Sequence, residues 1–426
     1  MTGRAAGGAL IVLAAALVAV VAVTTPWQPL GGPPLGARVA GDFTAAEAAR
    51  AAAYRATVRP MGYLSLGVGL VAVLVLGLTP LGARLVAAAA GPLGGGWWAR
   101  ALLGGTAVLL LARVVALPFD ARAEAAARAY GLSTRTWAGW AGDVAKGWAL
   151  SSGLLLLALV GLLALARRWP HGWWLPAAAG GALLVAAVSF LHPLVVEPVF
   201  NRFTSMPAGP LRADLLALAG RDGVPVTDVL VADASRRTTA LNAYVSGYGV
   251  TRRIVVYDTL LERASPAEVE LIVAHELGHA AERDVPRGTL TGALGTAAGA
   301  CLLFLLLRPG LLRRAGADAP GDPRALALVL ALVTVVATLA GPVEALMSRR
   351  VETRADLHAL DLTANPETFA RMQRRLALTN LSDLTPPPVV FALFASHPTA
   401  PMRIALAREW ARRHDVPPPA PLAGAA

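Results

Sequence analysis

The stretch Ser265-Pro266-Ala267-Glu268-Val269-Glu270-Leu271-Ile272-Val273-Ala274-His275-Glu276-Leu277-Gly278-His279 leads, within ten residues, into the uncharged run 288–307. Its first four residues specify a helix start. Ser265 can accept from orphan amides, Pro266 has a preset φ for the first turn, and Glu268 can close a capping box. Val269, Ile272 and Val273 then recur at helical spacing. His275 and His279 are four apart and share one face, so both imidazoles can reach one ion. Zinc suits neutral imidazole, at about 2.0–2.1 Å. Glu276, one residue on, reaches a water beside the ion rather than the ion itself. Zinc lowers the pKa of such a water, and a carboxylate can accept its proton during attack on a carbonyl and return it to the leaving amine. The pattern predicts a helix from near 266 that carries a metal site and ends at a membrane span.

Reading outward, composition supports the membrane. Of 426 residues, 56% are hydrophobic and 15% charged, against about 45–50% and 25% in soluble proteins. Uncharged or nearly uncharged runs of about 20 residues, long enough to cross a bilayer, occur seven times: 9–26, 62–80, 98–117, 147–166, 175–192, 288–307 and 324–346. The first, preceded by Arg4, could be a signal peptide. Its length, and the poor cleavage site at Ala22-Val23-Thr24-Thr25-Pro26-Trp27, favour a retained helix. The single cysteine, Cys301, lies in an apolar run and excludes both an intramolecular disulfide and a thiolate zinc site. Any metal must use His, Asp or Glu. The net charge of +11 is almost all arginine, with Lys146 the one lysine. The basic residues flank apolar runs instead of forming a stripe, so nucleic acid is not an expected partner. With the abundant Ala and Gly they suggest a GC-rich bacterial genome.

Arg38, Arg50, Arg55 and Arg59 follow the first span, and Arg122, Arg128, Arg135 and Lys146 follow the third. The positive-inside rule places those loops, and with them 193–287 and the chain from 347, in the cytoplasm. Arg308, Arg313, Arg314 and Arg324 after the sixth span argue the other way. The expected organisation is spans one to five over 1–192, a catalytic region over 193–287, spans six and seven over 288–346, catalytic helices over 347–414 and a disordered Pro/Ala-rich tail over 415–426. Val229–Ala232 and Arg253–Tyr257 read as strands, with Gly247 and Gly249 in the turn before the second.

A catalytic zinc site takes three protein ligands and keeps one position open. Glu344, Glu352, Asp356 and His358 are the downstream candidates. Glu352 and Asp356, four apart on one helical face, suit a ligand with a neighbouring carboxylate that orients a metal-bound histidine. His358 is the rival ligand. The alternative is a membrane-flanking helix with Arg–Glu surface pairs.

These residues resemble the type I CAAX prenyl endopeptidases and, more distantly, the HtpX-like membrane proteases. The resemblance rests on Glu197-Pro198-Val199-Phe200-Asn201-Arg202-Phe203, on Leu241-Asn242-Ala243-Tyr244 with Arg253–Leu261, on the His275–His279 motif, and on Ser348-Arg349, Glu352 and Ala355-Asp356 followed by Ser396-His397-Pro398. It covers about 193–405; the N-terminal spans match in hydropathy. It implies Glu352 as third ligand, Asp356 beside it, and Asn242 and His397 near the scissile carbonyl, where an amide and an imidazole can stabilise an oxyanion. It also implies an intramembrane chamber faced by the site. Arg252–Tyr257 could be an edge strand that pairs with an extended peptide. One departure is Arg283-Asp284, where prenyl endopeptidases place a further histidine; here the chain is nearer the HtpX pattern.

The sequence therefore predicts a mainly α polytopic membrane protein with about seven transmembrane helices and a zincin-like α+β metallopeptidase domain containing a small sheet. It would be a zinc metalloendopeptidase of the bacterial plasma membrane, binding one Zn2+ per chain through His275, His279 and Glu352. Its catalytic residues would be Glu276, His397 and Asn242, and its partners the lipid bilayer and peptide or membrane-protein substrates. Two alternatives differ in class: a scaffold or transporter with an incidental motif, and a metal-binding regulator without hydrolysis.

Overall fold

The computed structural model describes residues 2–30 and 36–423. Among them, seven helices are long and apolar enough to cross a membrane: Gly3–Thr24, Ala45–Leu78, Trp97–Val114, Trp137–Arg168, Trp174–Phe200, Asp284–Leu306 and Pro323–Thr363. Each overlays one of the seven runs read from the sequence. Their outer surfaces expose Ile11, Val12, Leu157, Leu183 and Leu339, a distribution that would be costly in water and suits lipid. One core lies within this bundle, around Leu163, Trp173, Leu326 and Leu328. A second, around Leu215, Ile254, Leu271, Leu277, Phe369 and Ile404, belongs to the domain outside it.

The outer domain is built on four strands, β1 (Phe203–Ser205), β2 (Asp228–Ala232), β3 (Ala243–Ser246) and β4 (Arg253–Tyr257), in the order β1-β2-β4-β3. β2 and β4 run parallel, and β3 pairs antiparallel with β4, Tyr244 opposite Val255. The hairpin between β3 and β4 turns at Gly247, whose φ of +86° few other residues adopt. This arrangement corrects one expectation: Arg253–Tyr257 is an interior strand, and β3 is the free edge on that side. The tight hairpin lays β3 outside β4, which is already paired on its other flank.

The motif helix spans Pro266–Ala281 with the expected capping box: Ser265 Oγ accepts from Glu268 N, and the Glu268 carboxylate accepts from Ser265 N at 2.8 Å. The expected boundary between 324–346 and 347–414 falls inside one helix, Leu326–Thr363, of 38 residues, about 57 Å long. Ser348-Arg349-Arg350 is polar, but nothing in it stops a helix, so the seventh span continues into the outer domain. The chain end is also more ordered than its composition suggested. Leu422 is buried in the outer core, and Arg408 donates to Pro419 O and to the buried Asp42 carboxylate. Residues 415–423 are thus pinned to the loop after the first span, while 424–426 of the expected tail lie outside the described residues.

Candidate metal centre

The motif helix and the long helix pack against each other, and their polar residues meet at one point. His275, His279 and Glu352 each offer one ligand atom, all within 4.8 Å of one another. His275 Nε2 lies 3.2 Å from His279 Nε2 and 3.2 Å from Glu352 Oε2. His279 Nε2 lies 3.6 Å from Glu352 Oε1.

The opposite ring nitrogens decide what this cluster can hold. His275 Nδ1 faces Asp356 Oδ1 at 2.9 Å, and His279 Nδ1 faces Asp284 Oδ2 at 2.8 Å. A carboxylate only accepts, so each histidine donates from Nδ1, and each neutral ring has its lone pair on Nε2. Two lone pairs then face each other across 3.2 Å. Glu352 Oε2, buried beside them, has no hydrogen-bond partner among the described residues. Hydrogen bonds cannot satisfy three converging lone pairs, whereas a cation can. A set of two imidazoles and a carboxylate suits zinc.

Charge behind the cluster is arranged in pairs. Asp356 is fully buried and bound by Arg403, whose Nε donates to Oδ2 at 2.7 Å. Arg354 Nη2 donates to both oxygens of Asp284, at 2.5 and 2.7 Å. Burial raises the Glu276 carboxyl above its ordinary value against the pull of His275 and His279, which brings it towards the range a general base requires. His397 Nε2 stands 3.4 Å from Glu352 Oε1. Asn242, His397 and Arg403 line one cavity of about 780 Å³. Arg349 Nη1 donates to Phe391 O at 3.0 Å and also to Ala395 O, which fixes the loop that carries His397.

Of the rival ligands, His358 is elsewhere. Its Nε2 pairs with Asp222 Oδ1 at 2.8 Å, and its ring packs on Gly278 behind the motif helix. A helical wheel carries the reason: Asp356 lies about 40° from Glu352, whereas His358 lies about 240° round. Sequence reading passed over Asp284, Arg354 and Arg403. Asp284 had a local signal, five residues beyond His279; the arginines had none.

Known proteins match the chain over both its membrane and its outer regions. The family model Peptidase family M48 matches residues 206–411, and the model "CAAX prenyl protease N-terminal, five membrane helices" matches residues 32–202. An uncharacterised metalloprotease of Bacillus subtilis, YhfN, is 31% identical over 298 residues, 69% of this chain and 70% of that protein.

The chain belongs to peptidase family M48.

It is a membrane metalloprotease of that family. CAAX prenyl protease 1 of Saccharomyces cerevisiae is 28% identical over 233 residues, and its rice homologue 31% over 222. The match spans about half the length of each of those two relatives. The crystal structure of S. mikatae Ste24p superposes with a TM-score of 0.78 at 19% identity, over 96% of this chain and 99% of that one, and so shares the fold. The resemblance read from the sequence is thereby borne out at the level of family and architecture.

Proposed function

We propose that the protein is a zinc-dependent endopeptidase that holds one Zn2+ through His275, His279 and Glu352 and cuts membrane or unfolded proteins. The observation that carries this reading is the convergence of His275 Nε2, His279 Nε2 and Glu352 Oε2 on one point, while Asp356 and Asp284 hold the opposite ring nitrogens. Zinc there would supply a Lewis acid that lowers the pKa of water and polarises a carbonyl. Glu276 takes the proton from the attacking water and delivers it to the leaving amine. Asn242 and His397, on the wall of the same cavity, donate to the oxygen on which charge develops. Asp356 holds the His275 ring.

Substrate lies extended along β3, the free sheet edge, which begins one residue after Asn242. β3 offers main-chain groups to a strand of any sequence, so this mode suits varied substrates. The two segments that bear the ligands meet at one site, so they share one side of the membrane, and spans six and seven form a hairpin between them. The arginine-rich loops after spans one and three support a cytoplasmic side in a bacterial cell for this site. Arg308, Arg313, Arg314 and Arg324, between spans six and seven, are the positive charges that argue the other way.

The test is a comparison of wild type with Glu276→Gln on an unfolded protein substrate and in membrane peptidomes. The variant is expected to keep one zinc per chain and to lose about 100- to 10,000-fold in kcat. Retained hydrolysis would remove Glu276 from its role. A wild type that holds no zinc would favour the scaffold or transporter.

A further inference from the structure

Each histidine of the cluster is backed by an aspartate, and each aspartate by an arginine. Behind His275 stand Asp356 and Arg403. Behind His279 stand Asp284 and Arg354. We infer that Asp284 and Arg354 are a positioning pair that holds His279 in its metal-binding tautomer, the counterpart of Asp356 and Arg403. The inference rests on the ligand assignment proposed above and adds residues to it.

The geometry is specific. Asp284 Oδ2 accepts from His279 Nδ1 at 2.8 Å and from Arg354 Nη2 at 2.7 Å, while Oδ1 accepts a second bond from the same Nη2. The carboxylate cannot rotate without breaking one of these bonds. Held there as an acceptor, it fixes the imidazole proton on Nδ1, and the neutral ring turns its Nε2 lone pair to the site. An unpaired carboxylate at this depth, with a side chain 17% exposed, would be costly, and the guanidinium offsets that. Glu282 and Arg287 approach the same pair at 3.7 and 3.9 Å and extend it to the surface.

The pair also joins three elements. His279 is on the motif helix, Asp284 is the first residue of the sixth membrane helix, and Arg354 lies two residues beyond Glu352 on the long helix. One membrane helix therefore touches the metal centre through a single carboxylate.

Zinc affinity, measured by competition with a chromophoric chelator on the purified full chain, tests this without reference to turnover. Asp284→Ala is expected to bind zinc about 10- to 100-fold more weakly than wild type. Asp284→Glu should recover part of that loss, and Arg354→Met should fall between. Arg212→Ala, which removes a remote ion pair with Asp228, should bind as wild type does. Wild-type affinity in Asp284→Ala overturns the pair and leaves the ligand assignment standing, and so does an equal loss in Arg212→Ala. Wild-type affinity in His279→Ala overturns the ligand assignment and the pair with it. Should Asp284→Ala not fold, Asp284→Asn, of the same shape without the charge, carries the measurement: weaker binding supports the pair and unchanged binding refutes it.

Discussion

The imidazole of His358 packs directly on the Cα of Gly278: a Cβ built there would lie 3.0 Å from Cγ and 3.1 Å from Cβ of that histidine. Behind it, Asp222 holds His358 Nε2 at 2.8 Å, so the ring has little freedom to withdraw. The helix that presents both histidines is thereby seated on the helix that presents Glu352.

Gly278→Ala sets two effects against each other. Alanine gains about 1 kcal/mol in a helix interior, while overpacking costs about 1–3 kcal/mol. The clash falls partly on Cβ of His358, not on a flexible tip, so the net expected is a loss of about 1 kcal/mol with weaker zinc binding. In a His358→Ala background the sign should reverse. Thermal unfolding of both variants decides it; an additive double mutant would refute the contact.

Ligand removal should be all or none. His279→Ala or Glu352→Ala is expected to retain less than one zinc per chain after dialysis, as read by metal analysis. A stoichiometric variant would reassign that ligand.

The edge strand makes a positional prediction. Tyr257 N donates to Asn242 O, so with the register Ala243↔Val256, Tyr244 and Ser246 bond to β4. Ala243 and Val245 then point their amides outward. Val245→Pro removes an outward donor and leaves the ladder intact. It should lower kcat/KM by about 2- to 12-fold, the worth of one hydrogen bond, with only a small loss of melting temperature, since Val245 packs partly against the outer core. Tyr244→Pro should unfold the domain. Equal effects from the two would exclude β3 as the substrate strand.

Acid should loosen the start of the motif helix. Burial alone would raise the Glu268 carboxyl, but hydrogen bonds from Ser265 and the Arg375 guanidinium outweigh it and hold it below its ordinary value. The folded state then binds this proton less readily than the unfolded one. The stability it contributes is present above the ordinary glutamate value, about 4.3, and is lost as pH falls below that. The stability gap between wild type and Glu268→Gln should therefore stay level from about pH 7 to about pH 5 and narrow as pH falls from about 4.3 through the lower folded value. A constant gap would assign the effect to shape alone. Ser265→Ala should cost about 1 kcal/mol at pH 7.

Truncation after His414 removes Leu422 from the outer core and two carbonyl acceptors from Arg408. Burial of a leucine side chain is worth about 1.5–3 kcal/mol, so the melting temperature should fall. An unchanged value would show the strap to be idle.

How much of this was legible in the sequence depended on range. The spans and the motif helix could be read because their signals are local: uncharged runs of bilayer length, and the Ser265–Glu268 cap ahead of residues at helical spacing. β1 and β3, of three and four residues, are too short for alternation to register, and the rank of β4 as an interior strand depends on pairing partners. Arg403 and Arg354 lie 47 and 70 residues from the aspartates they bind; only the fold brings them there. The rejection of His358 could have been made earlier, since its helical angle relative to Glu352 is fixed by spacing alone.

The helix Leu326–Thr363 is rooted in lipid at one end and delivers Glu352 at the other, with no loop between to absorb strain. Pro342, within it, stands ten residues before Glu352, about 15 Å along the axis. A tilt of about 5° pivoting there would carry the carboxylate about 1 Å. Span and site are thus one rigid piece, and any displacement of the helix at Pro342 reaches Glu352 undamped.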